Sequence, residues 1–371
     1  MNFSVTQENL VKGLQVVNRI ATTRATLPVL GNILLTTDKG RLKLVSTDLE
    51  LAIDTYIGAK VEIEGAITVP ARTFTDFVTN NSDTTIDFSL NDTVLNAKSA
   101  HYTAEIKGID ATEFPTIPEI GGTNVIHLAA PLFKEAIQQT VFATTQDETR
   151  PVLSGVALFI SGKELKLVAT DSYRLAEKRI PIEEGEANDV TVIVPARALL
   201  ELSRLIHDDV ARVSLSIDQH QMMAVCGESH LVSRLIEGTF PAYEAIIPKE
   251  LATTVTLNRS EFISSLKMAS LFSRDSAYNV TFTVGERDIT LKALSAQIGA
   301  STSTVTAAVS GPAVSIAFNA RFVLEVLQVM SCDAIQFQLQ QPHDNQWYPG
   351  IVKSTQDQNY QYVIMPLRTE V

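Results

Sequence analysis

Cysteine is nearly missing from this chain. Only Cys226 and Cys332 occur in 371 residues, and neither has a second cysteine nearby. A disulfide framework or a cysteine-built zinc site is therefore not expected. Long apolar runs are missing too, and nothing approaches the ~18 residues of a membrane span. The opening "MNFSVTQENL" lacks the basic patch and apolar core of a signal peptide, so a cytoplasmic chain is expected. Positive charge is short: 30 Lys and Arg stand against 42 Asp and Glu, giving a formal charge of −12. Charge alone argues against a nucleic-acid binder, unless the cations gather on one face.

Catalytic signatures are also lacking. There is no G-x-x-x-x-G-K-[ST] loop and no G-x-S-x-G elbow, so neither an enzyme nor a cofactor is expected. The metal-like run His207–Asp209 falls at a predicted helix end and reads as solvated. His220 and His230 flank Cys226 without a ligand spacing, and read as strand-surface residues. Asp171 and Tyr173, two apart on a strand, share a face and are conceivable as an acid–base pair. No further base or cofactor loop supports that reading.

What is present is a repeat. "LKLVSTDLELA" from Leu42 returns as "LKLVATDSYRLA" from Leu165, with Thr47-Asp48 recurring at Thr170-Asp171, an offset of 170 − 47 = 123. "VPAR" at Val69–Arg72 returns at Val194–Arg197, and "FNAR" at Phe318–Arg321 lies 124 beyond Val194. A period this long exceeds the ~20–50 residues of solenoid repeats, so whole domains are duplicated. Three domains are expected at 1–122, 123–249 and 250–371, with Pro- or Gly-marked joints.

Each domain reads as two strand–helix–strands modules, an α+β design with helices against antiparallel sheet. The first helix carries Leu10, Leu14 and Val17 on one stripe and Lys12, Gln15 and Arg19 on another. Six such modules per chain, bent alike, make an arc, and two arcs close into a ring. Lys12, Arg19, Arg72, Lys134, Arg197, Arg204, Lys267 and Arg321 all fall on predicted helices. The acidic excess collects in turns and strands such as "VEIEGA" and "IEEGEAND". Helices facing one hole would give it a lining less negative than the outside, which duplex phosphates would favour. Lys and Arg on solvated helix faces are the plain alternative.

Five ordered segments carry a family resemblance: "RATLPVLGNILL", "ATDSYRLA", "EGTFPAYEAIIP", "FNARFVLEVL" and "YVIMPLR". In these the whole chain resembles the bacterial DNA polymerase III beta subunit, the DNA sliding clamp. The resemblance implies three clamp-fold domains per subunit, with helices lining a homodimeric ring on duplex DNA. It implies a non-catalytic processivity factor that tethers the polymerase III alpha subunit, a clamp loader, other DNA polymerases and repair proteins.

It further implies a partner-peptide pocket between the second and third domains. By matching motif the pocket takes Leu153, Thr170, Ser172, Tyr173, Arg174, Leu175, Pro241, Ile246, Asn319, Phe322, Val363, Met365, Pro366 and Leu367. Its apolar members would seat Leu or Phe anchors, with Arg174 and Asn319 fixing polar groups at the rim. The first copy, "TDLELA", lacks the Tyr-Arg, so one pocket per chain is expected. Arg24 joins the DNA-facing set, and Leu271 with Phe272 is assigned to the dimer edge. The sequence departs from the family at Ser172-Tyr173, at Ala245 where a basic residue is common, and at Pro151-Val152 where aromatic DNA contacts can occur. It departs again in the "TEV" that follows Arg368.

Overall fold

A computed structural model describes the chain except residues 22–26, 119–124, 148, 186, 344–345 and 369–371. Arg24 lies outside the described residues. Six α-helices occur among the rest: α1 (Gln7–Val17), α2 (Ala71–Asn80), α3 (Ala130–Thr140), α4 (Ala196–Leu205), α5 (Arg259–Leu271) and α6 (Ala320–Val329). They are the six that two modules per domain require.

Local chemistry starts them. Thr6 caps α1, its hydroxyl accepting from Asn9 N, and Glu8 sits in the first turn, where a carboxylate suits the helix dipole. Leu10, Leu14 and Val17 are buried as the stripe requires, but α1 ends at Val17. Arg19 therefore lies in the following turn and not on the helix, a correction to the expectation. Gly13 allows α1 to sit close on its sheet, since a Cβ there would lie 2.5 Å from a Leu44 methyl. Asn319 caps α6, its side chain accepting from the backbone of Arg321 and Phe322.

The chain packs as two compact units. The first contains Met1–Pro131, Ile182–Ala187 and Glu201–Leu235; the second contains Leu132–Pro181, Asn188–Leu200 and Ile236–Val371. The first holds a five-stranded antiparallel sheet that ends on the edge strand Thr103–Lys107, and a separate eight-stranded sheet. Phe3, Phe74 and Phe88 are fully buried there, with centroids 4.9 and 5.8 Å apart along the row. The second unit is built on one twelve-stranded sheet. Its core holds Phe262, Phe282, Phe318 and Phe337, spaced 5.4 to 6.5 Å. Each such phenylalanine removes enough apolar surface to contribute about 2 kcal/mol.

The packing unit is thus not the sequence repeat. One sheet of the central repeat continues the sheet of the first repeat, where strand Ser229–Arg234 pairs with Leu51–Gly58. The other continues that of the third, where Arg174–Pro181 pairs with Tyr360–Ile364. The two joints share one register. Ser233 opposes Leu51, as Ile364 opposes Arg174, and the match holds for five consecutive pairs. Both pairings are antiparallel, so each joint saturates the backbone of two strand edges that would otherwise stay open.

Candidate partner-binding turn and helix-face cations

The two copies of the Thr-Asp turn make the same hydrogen bonds. In the first, Asp48 Oδ1 accepts from Glu50 N and Leu51 N, and Thr47 Oγ1 donates to Leu51 O. In the second, Asp171 Oδ1 accepts from Tyr173 N and Arg174 N, and Thr170 Oγ1 donates to Arg174 O at 2.6 Å. Leu49 and Ser172 hold the same left-handed backbone, φ 78° and 77°. That conformation is disfavoured for side chains larger than Gly, and the Asp cap holds it in place. In the third repeat Ser295 Oγ takes over, accepting from Gln297 N and Ile298 N. The near-identical stretches therefore encode a turn. Asp171 is occupied by that turn, which leaves it no role as an acid–base partner of Tyr173.

The copies differ in what the turn carries. Leu51 in the first becomes Arg174 in the second, and Arg174 is 8% exposed. Its guanidinium donates to Asp171 Oδ2 at 3.0 Å, to Glu325 and to the carbonyl of Phe142 at 2.8 Å. It also lies 4.3 Å from the centre of the Phe322 ring. Burial alone would lower its pKa, but the Glu325 and Asp171 carboxylates beside it raise it. Burial pushes the Tyr362 phenol far up, so that group stays neutral. Arg174 is therefore no rim residue: it is a strut that ties the turn to α6 and to the 3-10 turn Val141–Ala143 that follows α3. Phe142, Glu325 and Tyr362 complete the strut, and sequence reasoning missed all three as functional residues. Only Glu325, four residues after Arg321 on α6, left a readable signal.

Around this strut the expected pocket residues fall into a floor and a border. Leu153, Leu175 and Val363 are buried in one cluster with Phe240, Tyr243 and Ile351. Thr170 is buried beside them, and Phe322 is half-buried, its carbonyl accepting from Tyr362 Oη. Tyr173, Ile246 and Met365 are exposed large apolar residues, Tyr173 at 60%. Met365 N donates to Tyr173 O, and Leu367 N donates to Ala317 O across the half-buried Pro366. Ser172 Oγ accepts from Arg150, and Pro241 is exposed next to buried Phe240. Asn319 spends its carbonyl on capping α6. An apolar floor with an exposed aromatic and a methionine above it suits short apolar anchors.

Each helix carries at least one of the expected cations. Lys12, Arg72, Arg197, Arg204, Lys267 and Arg321 are exposed and Lys134 is half-buried. Several share their charge with a carboxylate on the same helix: Lys12 with Glu8 at 2.7 Å, Arg72 with Asp76 at 3.9 Å, Arg321 with Glu325 at 2.8 Å, and Arg204 with Glu201. The cation of each pair is solvent-exposed, so these pairs hold their cations weakly and leave them free to exchange partners. Leu271 ends α5 at 44% exposure with Phe272 half-buried after it, so neither is an ordinary core residue. Among the described residues no group of three or more metal-binding side chains occurs, and no helix is long and apolar enough to cross a membrane.

Comparison with known proteins agrees with this geometry along the whole chain. Models of the DNA polymerase III beta subunit match residues 1–118 with its N-terminal domain, 127–242 with its central domain and 244–368 with its C-terminal domain. A beta sliding clamp of Synechocystis sp. is 33% identical over 388 residues, covering 98% of each chain. One from Bacillus subtilis is 27% identical over the full length of both. The crystal structure of a DNA polymerase sliding clamp from Bacillus subtilis superimposes with a TM-score of 0.95 at 26% identity, covering all of both chains. A sliding clamp from Pseudomonas aeruginosa bound to griselimycin does so with 0.95 at 28%, again over both whole chains. With all three domain models matched in order, the chain belongs to the DNA polymerase III beta subunit family, the non-catalytic sliding clamps of DNA replication.

Proposed function

We propose that two copies of this cytoplasmic chain join head to tail into a ring around duplex DNA, with domains at 1–122, 123–249 and 250–371 and the helix cations lining the hole. The observation that carries this reading is the strand joint made twice within the chain. The third repeat has the same first-module strand, Gly299–Ser310, and its residues Gly299–Thr306 pair with Asp288–Ser295 on one side only among the described residues. The first repeat has the same last strand, Thr103–Lys107, lying at a sheet edge. These are the two halves of a third joint, and a second copy supplies each with its missing half.

The register follows from the repeat. Gly299 stands for Arg174 (299 − 174 = 125), and Ile106 stands for Ser233 (233 − 106 = 127). Gly299 would then oppose Ile106 of the second copy, and Ser301 its Ala104. Leu271 is the thirteenth residue from the start of α5, as Phe142 is from the start of α3. Phe142 stacks on Tyr362 at 5.8 Å, and Tyr362 is the counterpart of Ala104. Leu271 and Phe272 would thus cover the joint from the helix side.

The DNA would be held by topology, with weak phosphate contacts from Lys12, Arg19, Arg24, Arg72, Lys134, Arg197, Arg204, Lys267 and Arg321 and no base readout. The surface around Leu175, Val363 and Met365, between the second and third domains, would seat peptides of the polymerase III alpha subunit, the clamp loader, other DNA polymerases and repair proteins. The joint is tested with cysteine pairs. Ser301→Cys with Ala104→Cys should oxidise to a covalent dimer, since directly opposed residues bring their Cβ atoms within disulfide range. Ser301→Cys with Glu105→Cys, whose side chains point to opposite faces, should not. Equal crosslinking of both pairs, or a monomer in sedimentation, would overturn the reading.

A further inference from the structure

We propose a second peptide-docking groove in the first unit, built by the first copy of the Thr-Asp turn. A cavity of about 350 Å³ lies there, within the range of ligand sites. Its lining repeats the partner-binding surface of the second unit position by position. Thr47, Leu49 and Ala52 stand for Thr170, Ser172 and Leu175, while Ile117, Val232 and Arg234 stand for Tyr243, Val363 and Met365. The turn geometry is the same in both, as are the registers of the strands that carry these residues. The backbone scaffold that presents a peptide surface in one unit is therefore present in the other.

The side chains change the ligand. Leu49 is half exposed over a floor of buried Ala52 and Val232, with Ile117 packed against both. That surface suits one apolar anchor. Where the other site has Met365, this one has exposed Arg234, which makes no ion pair among the described residues. Gln221, on the same wall, has a side-chain oxygen with no hydrogen-bond donor. Exposed Glu50 on the turn disfavours a second carboxylate. The occupant these features select is an extended peptide with a Leu or Phe anchor, a single carboxylate for Arg234 and a backbone N–H for Gln221.

The ligand class rests on the peptide reading of the second unit, so the test reads both sites separately. Cys226 and Cys332 are buried, and burial pushes the Cys226 thiol up to about 12, so an added surface cysteine labels selectively. An environment-sensitive dye is placed on Thr116→Cys for the first unit, or on Ala242→Cys, its counterpart, for the second. The full-length protein is titrated with acetyl-Gly-Leu-Phe-Asp-Gly-amide and with the same peptide carrying Lys for Asp. The Thr116 reporter should saturate with the Asp peptide at least 10-fold more tightly than with the Lys peptide. Arg234→Glu should invert that preference while leaving the Ala242 reporter unchanged. A silent Thr116 reporter, or a response that Arg234→Glu does not alter, would overturn the second groove. A silent Ala242 reporter beside a responding Thr116 would instead count against the site in the second unit alone.

Discussion

Arg174 shows how much a single residue can change in a turn that is otherwise copied hydrogen bond for hydrogen bond. The first repeat keeps buried Leu51 there, whereas the second places a guanidinium among Asp171, Glu325 and the Phe142 carbonyl. Removing it would leave Asp171 Oδ2 without its donor and Glu325 with Arg321 as its one remaining cation, and breaking a buried pair from one side costs about 3 kcal/mol or more. Arg174→Met should lower the urea midpoint of the second unit accordingly, and Arg174→Lys should recover little, because an ammonium cannot reproduce the fork. A loss under about 1 kcal/mol would show the strut to be dispensable. A second residue-scale prediction concerns Cys226. With its thiol pushed up to about 12 and 3% exposed, it should resist iodoacetamide at pH 8 in the folded protein and react once urea unfolds it.

Elements are where sequence and structure agree most closely. The six helices follow from apolar stripes, caps and the repeated Ala-Arg starts, and the alternating strands follow from period-2 patterning. Arg19 escaped because the apolar stripe gives no signal for where the last turn ends. The buried role of Arg174 escaped for a different reason. Its partners Phe142 and Glu325 are distant in sequence, and only the fold brings them to it. The division into two packing units was also illegible, since hydrogen bonds between strands of different repeats leave no periodic trace. At this scale Leu271 gives a direct test. Leu271→Asp places a carboxylate at the end of α5, where exposed apolar surface of 44% now lies. It should weaken self-association at least tenfold in sedimentation equilibrium while leaving the unfolding midpoint within about 1 kcal/mol, as for other surface changes. Unchanged association would remove Leu271 from the joint.

For the whole molecule, charge is the difficulty to resolve: a chain of net charge −12 is asked to hold DNA. Its helix cations are largely shared with neighbouring carboxylates, which favours brief and interchangeable phosphate contacts over tight ones. The joints are unequal as well. Buried Asp54 lies within 3.1 Å of His230 and 3.4 Å of Lys43 in one, and buried Glu177 is held by Arg179 and Gln361 in the other. The proposed intermolecular joint would have Thr302 at that position (302 − 177 = 125), with no charge to clamp. Of the three joints it would then be the one held by the fewest charge contacts. Two salt dependences should then separate. Binding to a short linear duplex depends on released counterions and should fall steeply between ~50 and ~200 mM salt. A ring loaded on a closed circle and then locked through Ser301→Cys and Ala104→Cys has no such escape, and its retention should be flat over that range until the circle is cut. Parallel loss from circle and linear duplex would mean that charge, and not closure, holds the DNA.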